Sequence, residues 1–249
     1  MDLGSIVIIS VLVCAVAALY SSVGHGGASG YLAVLSFFAV PTETMASTAL
    51  VLNILVAGIA LYSYIRAGHL SWKLAWPFML LSIPAAFVGG ILRVSDRIYF
   101  LLLAVALLVA AFRLAMSAAR SSEDTELKEV SLAISLPVGA GIGLLSGVVG
   151  VGGGIFLSPL MLLFRWANAK RTAAVSALFI VVNSVSGLLG RLARGGLHVG
   201  EFLLLIAVAF LGGLLGSYYG ANRFSGVLLR RLLAVVLVIA ALKMVVTLA

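Results

Sequence analysis

The chain has 249 residues, of which 63% are hydrophobic and only 10% charged, with a mean hydropathy of +1.24. Soluble domains are roughly half apolar and about a quarter charged, so a water-soluble globular protein is excluded. The net charge of +8 is spread over helix ends and short loops rather than gathered in one stripe. That pattern argues against nucleic acid as a partner and for orientation in a lipid bilayer.

Apolar stretches near residues 3–23, 46–65, 74–92, 98–119, 130–149, 172–190, 202–221 and 227–248 are each about twenty residues long, enough for a helix to cross roughly 30 Å of hydrocarbon. They lack the period-2 alternation of membrane strands, which excludes a barrel. The first stretch carries Asp2 where a signal peptide has a basic region, and its apolar run continues into the repeat unit, so no cleaved leader is expected. It also holds Cys14, the one cysteine, which has no partner for an intramolecular disulfide and no ligand cluster around it. No metal or other cofactor is expected. The predicted fold class is an all-α polytopic membrane protein with about eight transmembrane helices, forming one transport domain over residues 1–249.

Two shorter apolar segments, 29–40 and 155–164, interrupt this series. At 1.5 Å per residue they rise only about 15–18 Å, too little to cross. Each comes after a cluster of glycines, Gly24-His25-Gly26-Gly27-Ala28 before the first and Gly150-Val151-Gly152-Gly153-Gly154 before the second. The likeness extends further. Ser47-Thr48-Ala49-Leu50 matches Val175-Ser176-Ala177-Leu178, and Arg66-Ala67-Gly68 matches Arg194-Gly195-Gly196. Ala86-Phe87-Val88-Gly89-Gly90 matches Ala209-Phe210-Leu211-Gly212-Gly213, and Arg93-Val94-Ser95 matches Arg223-Phe224-Ser225. A repeat at 1–119, a polar linker at 120–129 and a second repeat at 130–249 are read from this. Two such halves in so apolar a chain point to a transporter built around a central site.

Lysine and arginine decide between two topologies. If each short segment is re-entrant, returning to the side from which its opening helix came, the repeats are inverted. Arg93, Arg97, Arg191, Arg194 and Lys243 then lie on the side of the termini. Arg66, Lys73, Arg113, Arg120, Lys128, Arg165, Lys170, Arg171, Arg223, Arg230 and Arg231 lie on the other. If the segments merely rest in the interface, the charges divide evenly. The positive-inside rule favours the inverted arrangement, with both termini outside.

The glycines supply the chemistry. A break frees backbone N–H groups that hydrocarbon cannot satisfy, and the helix that starts after it offers N–H groups and a dipole suited to an anion. Two such starts facing each other make an anion cradle, with Gly24, Gly26, Gly27, Gly150, Gly152, Gly153 and Gly154 as its frame. Gly58, Gly89, Gly90, Gly187, Gly212, Gly213 and Gly216 are read instead as sites of close helix packing. Polar side chains flank the breaks: Ser21, Ser22, His25 and Ser29 at the first, Ser146 and Ser158 at the second. Thr48 and Asn53 lie on the next helix of the first half, with Ser176, Asn183 and Ser184 on that of the second. Such hydroxyls and amides donate to anionic oxygens without a fixed cation at mid-membrane. His25 is the candidate for proton coupling, since its reference pKa is near neutrality and no carboxylate lies within an apolar run.

The duplicated glycine motif, the run Gly150-x-Gly152-Gly153-Gly154-x4-Pro159 and the Thr48 and Ser176 segments resemble the sulfite exporter TauE/SafE family, also called the 4-toluene sulfonate uptake permease group. The resemblance covers the whole chain. It implies a multi-pass permease of the bacterial inner membrane for sulfite, organosulfonates or related small sulfur-containing anions, with periplasmic termini on the charge argument above. The first copy departs from the pattern at His25, Ala28 and Ala33. The alternatives are a carrier of another small anion and an intramembrane serine protease. The latter rests on Gly27-Ala28-Ser29-Gly30 with Ser29 as nucleophile, and needs a histidine base within hydrogen-bond reach. His69 and His198 fall in loops, and the second copy has Ile155 where Ser29 stands.

Overall fold

A computed structural model describes residues 3–36, 38, 40–95, 98, 101, 127–195, 203–225, 228 and 231. The described residues form eight α-helices: α1 Leu3–Ser21, α2 Ala28–Ser36, α3 Thr42–Arg66, α4 Trp72–Ile91, α5 Leu132–Val149, α6 Gly154–Leu163, α7 Ala169–Ala193 and α8 Leu203–Asn222. All except α2 and α6 are long and apolar enough to cross a membrane. The expected helices at 98–119 and 227–248, most of the 120–129 linker and His198 lie outside the described residues. Helices α3 and α7 start a few residues before their apolar runs. Their hydrogen bonding begins at Pro41, whose carbonyl accepts from the Met45 N–H, and at Asn168, whose side chain caps the Arg171 N–H at 2.9 Å. A hydropathy reading stops at Glu43 and at Lys170-Arg171, but a helix does not.

Glycine spacing sets the packing. On α5, Gly139, Gly143 and Gly147 recur every fourth residue and so share one face. They meet the backbone of Phe78, Ser82 and Ala86 on α4 in the same order, so the two helices run parallel. Gly212, Gly216 and Gly220 on α8 do likewise against Cys14 and Ala18 on α1 and Ser22 just beyond its end. Lipid tails are as apolar as leucine, so such close backbone approach, rather than hydrophobic burial, holds the helices together. Ser186 Oγ donates to Ile83 O at 2.6 Å and Arg194 Nη1 to Leu92 O at 2.8 Å, which sets α7 parallel to α4. Ser63 Oγ donates to Ser217 Oγ at 3.1 Å, and Gly213 lies against Val56 and Ile59, which sets α3 parallel to α8. Glu43 at the start of α3 pairs with Arg191 and Arg194 at the end of α7, so the two central helices are antiparallel.

Read as repeats, the halves meet through these contacts in a register that differs from three residue matches made on likeness alone. Helices α3 and α7 have equal length and close alike, with Gly68 at φ 75° and Gly195 at φ 83°. Gly68 therefore corresponds to Gly195, not Gly196. Gly24 lies against Ala173 and Gly150 against Ala46, so Ala46 corresponds to Ala173, and Ser176 falls opposite Ala49 rather than Thr48. On α4 and α8, Gly89 lies closest to Leu144 O and Gly216 to Ala18 O, the same place before each break. Those two glycines correspond, not Gly89 and Gly212. The slips arise because runs of Ala, Ser, Leu and Gly match about as well one position, or one turn, out of register. Gly58 needs a different correction: among the described residues a Cβ there would meet nothing within 4 Å, so it is not a packing glycine between the described helices.

Candidate functional site

Both glycine clusters are turns that glycine alone adopts without strain. Gly24 (φ 78°) and Gly27 (φ 93°) shape the first, and Gly150 (φ 81°), Gly152 (φ 77°) and Gly153 (φ 80°) the second. The two turns meet on one side chain. Asn53, fully buried at the middle of α3, accepts the Ala28 N–H at the start of α2 through Oδ1 (3.0 Å). Through Nδ2 it donates to Val151 O within the second turn (3.0 Å) and to Ser184 Oγ on α7 (3.5 Å). Gly26 lies against Asn53, and a Cβ on Gly152 would come 2.8 Å from Asn53 Nδ2 and from Ser184 Oγ. Gly153 packs on Phe179 and Ile142, Gly154 on Ile180, and Gly27 on the ring of Tyr31.

A second chain of hydrogen bonds also joins the halves. His25 Nε2 is 3.2 Å from Ser158 Oγ on α6, which is 2.6 Å from Ser176 Oγ on α7. His25 Nδ1 lies 3.1 Å from Val23 O. A carbonyl only accepts, so Nδ1 carries a proton. In the neutral ring Nε2 then accepts from Ser158, and Ser176 donates onward to Ser158.

Every residue expected at the site is buried. Ser29 Oγ bonds Tyr20 OH at 3.0 Å, while Ser21 and Ser22 donate to backbone carbonyls one turn back on α1. Asn183 Nδ2 donates to Phe179 O at 2.8 Å, with its Oδ1 left unpartnered. Thr48 Oγ1, Ser47 Oγ and Ser146 Oγ are likewise buried without a partner. The pairing a serine protease needs is not made at Ser29, whose partner is Tyr20, while His25 turns to Ser158. Among the described residues no group of three or more His, Cys, Asp or Glu is placed to hold a metal ion.

Two further residues reach the breaks: Tyr64, which carries no signal in the sequence reading, and Arg191, which is read there only as a loop charge. Tyr64 OH donates to Ser22 O at 2.7 Å, and Arg191 Nη2 donates to Val148 O at 2.9 Å and to Gly147 O at 3.4 Å. Each closes the last turn before a glycine break, and each stands four residues before the glycine that ends its helix. Arg191 is not the loop charge that hydropathy suggests; it lies inside α7 and is only 3% exposed. The available clue is that Tyr64 and Arg191 occupy the same place ahead of Gly68 and Gly195, and the one-residue slip in matching hides it.

The family model described as sulfite exporter TauE/SafE matches residues 8–244. A probable membrane transporter protein of Sinorhizobium fredii, y4hK, is 37% identical over 233 residues, covering 92% of this chain and 94% of the relative. A probable membrane transporter protein of Methanocaldococcus jannaschii is 24% identical over 64% of this chain and 60% of its own length. One from Haemophilus influenzae is 28% identical over 39% of this chain and 40% of its own. No solved structure matches. A family match that spans nearly the whole chain, together with helices of membrane-crossing length, places this protein in the sulfite exporter TauE/SafE family of multi-pass membrane transporters.

Proposed function

We propose that the protein carries sulfite, an organosulfonate or a related small sulfur-containing anion across the bacterial inner membrane, through a site where the two glycine breaks meet. The observation that carries this reading is Asn53. Its Oδ1 takes the N–H at the start of α2, the place an anionic oxygen would take, while its amide group holds the opposing turn. Unpartnered buried hydroxyls such as Thr48 Oγ1 supply further donors. Helix directions favour inverted repeats: α1 and α8 run parallel, as do α4 and α5, while α3 and α7 are antiparallel. They favour re-entrant α2 and α6 as well, since α1 and α3 share a direction with α2 between them, and Lys128 N–H donates to Arg165 O, bringing the end of α6 back to the start of α5. Both termini are then periplasmic on the charge rule. His25 is the group we assign to proton coupling, through its bond to Ser158.

Gly26→Val and Gly152→Val do not test this site, because the added groups strike Asn53. Thr48→Val does. The lost hydroxyl has no protein partner, so its removal leaves the fold intact. Purified protein is expected to bind at least one of sulfite, thiosulfate, sulfoacetate, taurine and sulfate by calorimetry. Thr48→Val is expected to weaken that binding about five- to tenfold without lowering the melting temperature. Absence of binding by the whole panel, or unaltered affinity in Thr48→Val together with His25→Gln and Ser176→Ala, would show the site to lie elsewhere.

A further inference from the structure

Arg191, Arg194 and Glu43 form a cluster at the membrane face where α3 starts and α7 ends. One carboxylate oxygen, Glu43 Oε2, accepts from Arg191 Nη1 at 3.2 Å and from Arg194 Nη2. Among the described residues two cations share this one carboxylate, beside the turn that leads into the second glycine break. The partners differ in freedom. Arg191 is held by the Gly147 and Val148 carbonyls and Arg194 by Leu92 O, and both side chains are under a tenth exposed, whereas that of Glu43 is 52% exposed. The guanidinium groups are fixed; the carboxylate is the group that can leave.

Capping the helix end does not account for a cation here. At the corresponding place in the other half a neutral hydroxyl, Tyr64 OH, satisfies the equivalent carbonyl of Ser22 at 2.7 Å. Arg191 adds to that role a charge and a further donor arm, both facing Glu43. Ser47 Oγ, one turn along α3 from Glu43, and Ser146 Oγ, next to Gly147, are buried with no partner, so polar capacity continues from the cluster toward the break.

We propose that this cluster is an anion-admission site, in which Glu43 stands as a tethered competitor and an incoming oxyanion takes its place on Arg191 and Arg194. Guanidinium forks match the oxygens of a sulfur oxyanion as they match a carboxylate. The inference rests on the reading of the protein as an anion carrier, and adds where the anion first binds and from which face.

The test is calorimetry on the full-length protein in detergent with sulfite, sulfate and inorganic phosphate as probes. Glu43→Gln and Glu43→Ala remove the competitor's charge and are expected to bind at least one oxyanion about tenfold more tightly than wild type. Glu43→Asp, which keeps the charge, should stay near wild type. Adding Arg191→Gln to Glu43→Gln should abolish the gain. The proposal is overturned if no probe binds either neutral variant more tightly than wild type. If sulfite binds wild type and the neutral variants alike, only this admission site fails and the central reading stands. If phosphate shows the gain while no sulfur oxyanion binds any form, the site stands and the sulfur-anion reading fails.

Discussion

Ser22 and Val148 hold the same place in the two halves, the last turn before a glycine break, yet their carbonyls are met by different chemistry. A phenol from α3 reaches the first and a guanidinium from α7 the second. The surroundings differ in the same sense. Glu43 neutralises part of the charge beside Arg191, whereas Lys170 and Arg171, which start the helix opposite Tyr64, have no carboxylate within ion-pair reach among the described residues. The two breaks share a backbone geometry, but a charged group closes the turn before the second and a neutral one the turn before the first. Two turns alike in backbone can thus be closed by side chains of different charge.

The strongest way to break this comparison is to attack the two glycine seams. Gly143→Val and Gly216→Val drive a side chain into the backbone at Ser82 and Ala18 respectively. Each is expected to destabilise by about 3 kcal/mol, because neither neighbour can rotate away. Thermal melting followed by size-exclusion fluorescence would register both losses, with Gly58→Ala as a neutral or slightly stabilising control. A loss at one seam only would mean that the halves do not pack alike. A smaller effect sharpens the comparison at the caps. Arg191→Met removes charged hydrogen bonds and should destabilise by about 2–3 kcal/mol, against about 1 kcal/mol for Tyr64→Phe. Equal losses would reduce Arg191 to a cap.

The smallest expected effect lies at the Lys170 mouth. His69, just beyond α3, has its pKa lowered from the ordinary 6.5 by burial and by the neighbouring Lys170 and Arg171 charges. The folded state therefore protonates at lower pH than the unfolded chain. Its contribution is full above pH 6.5 and is lost as pH falls through the window down to the folded-state value. His69→Gln should flatten the decline in melting temperature between pH 7.5 and 5.5. An unchanged slope would remove His69 from the account of that mouth.

Hydropathy and glycine content are enough to read the membrane class, the long helices α1, α3, α4, α5, α7 and α8, the two short segments and the two breaks. Each of these depends on the solvation or conformational freedom of residues near in sequence, so a local reading recovers it. Even the packing role of Gly89, Gly212 and Gly216 is visible, since small residues every fourth position mark a helix face. The register between the halves is not, because Ala-, Ser- and Leu-rich helices match themselves at several offsets. Only contacts such as Gly24 with Ala173 and Gly150 with Ala46 select one. The sequence by itself determined which segments enter the membrane and where the chain must break. Tertiary structure decided that Asn53 holds a carbonyl 98 positions away, that His25 reaches a serine 133 positions away, and that Arg191 is buried rather than in a loop. The physical reason is that apolar burial acts residue by residue, whereas a hydrogen bond needs two groups within about 3 Å, a distance set by the packing of the whole bundle.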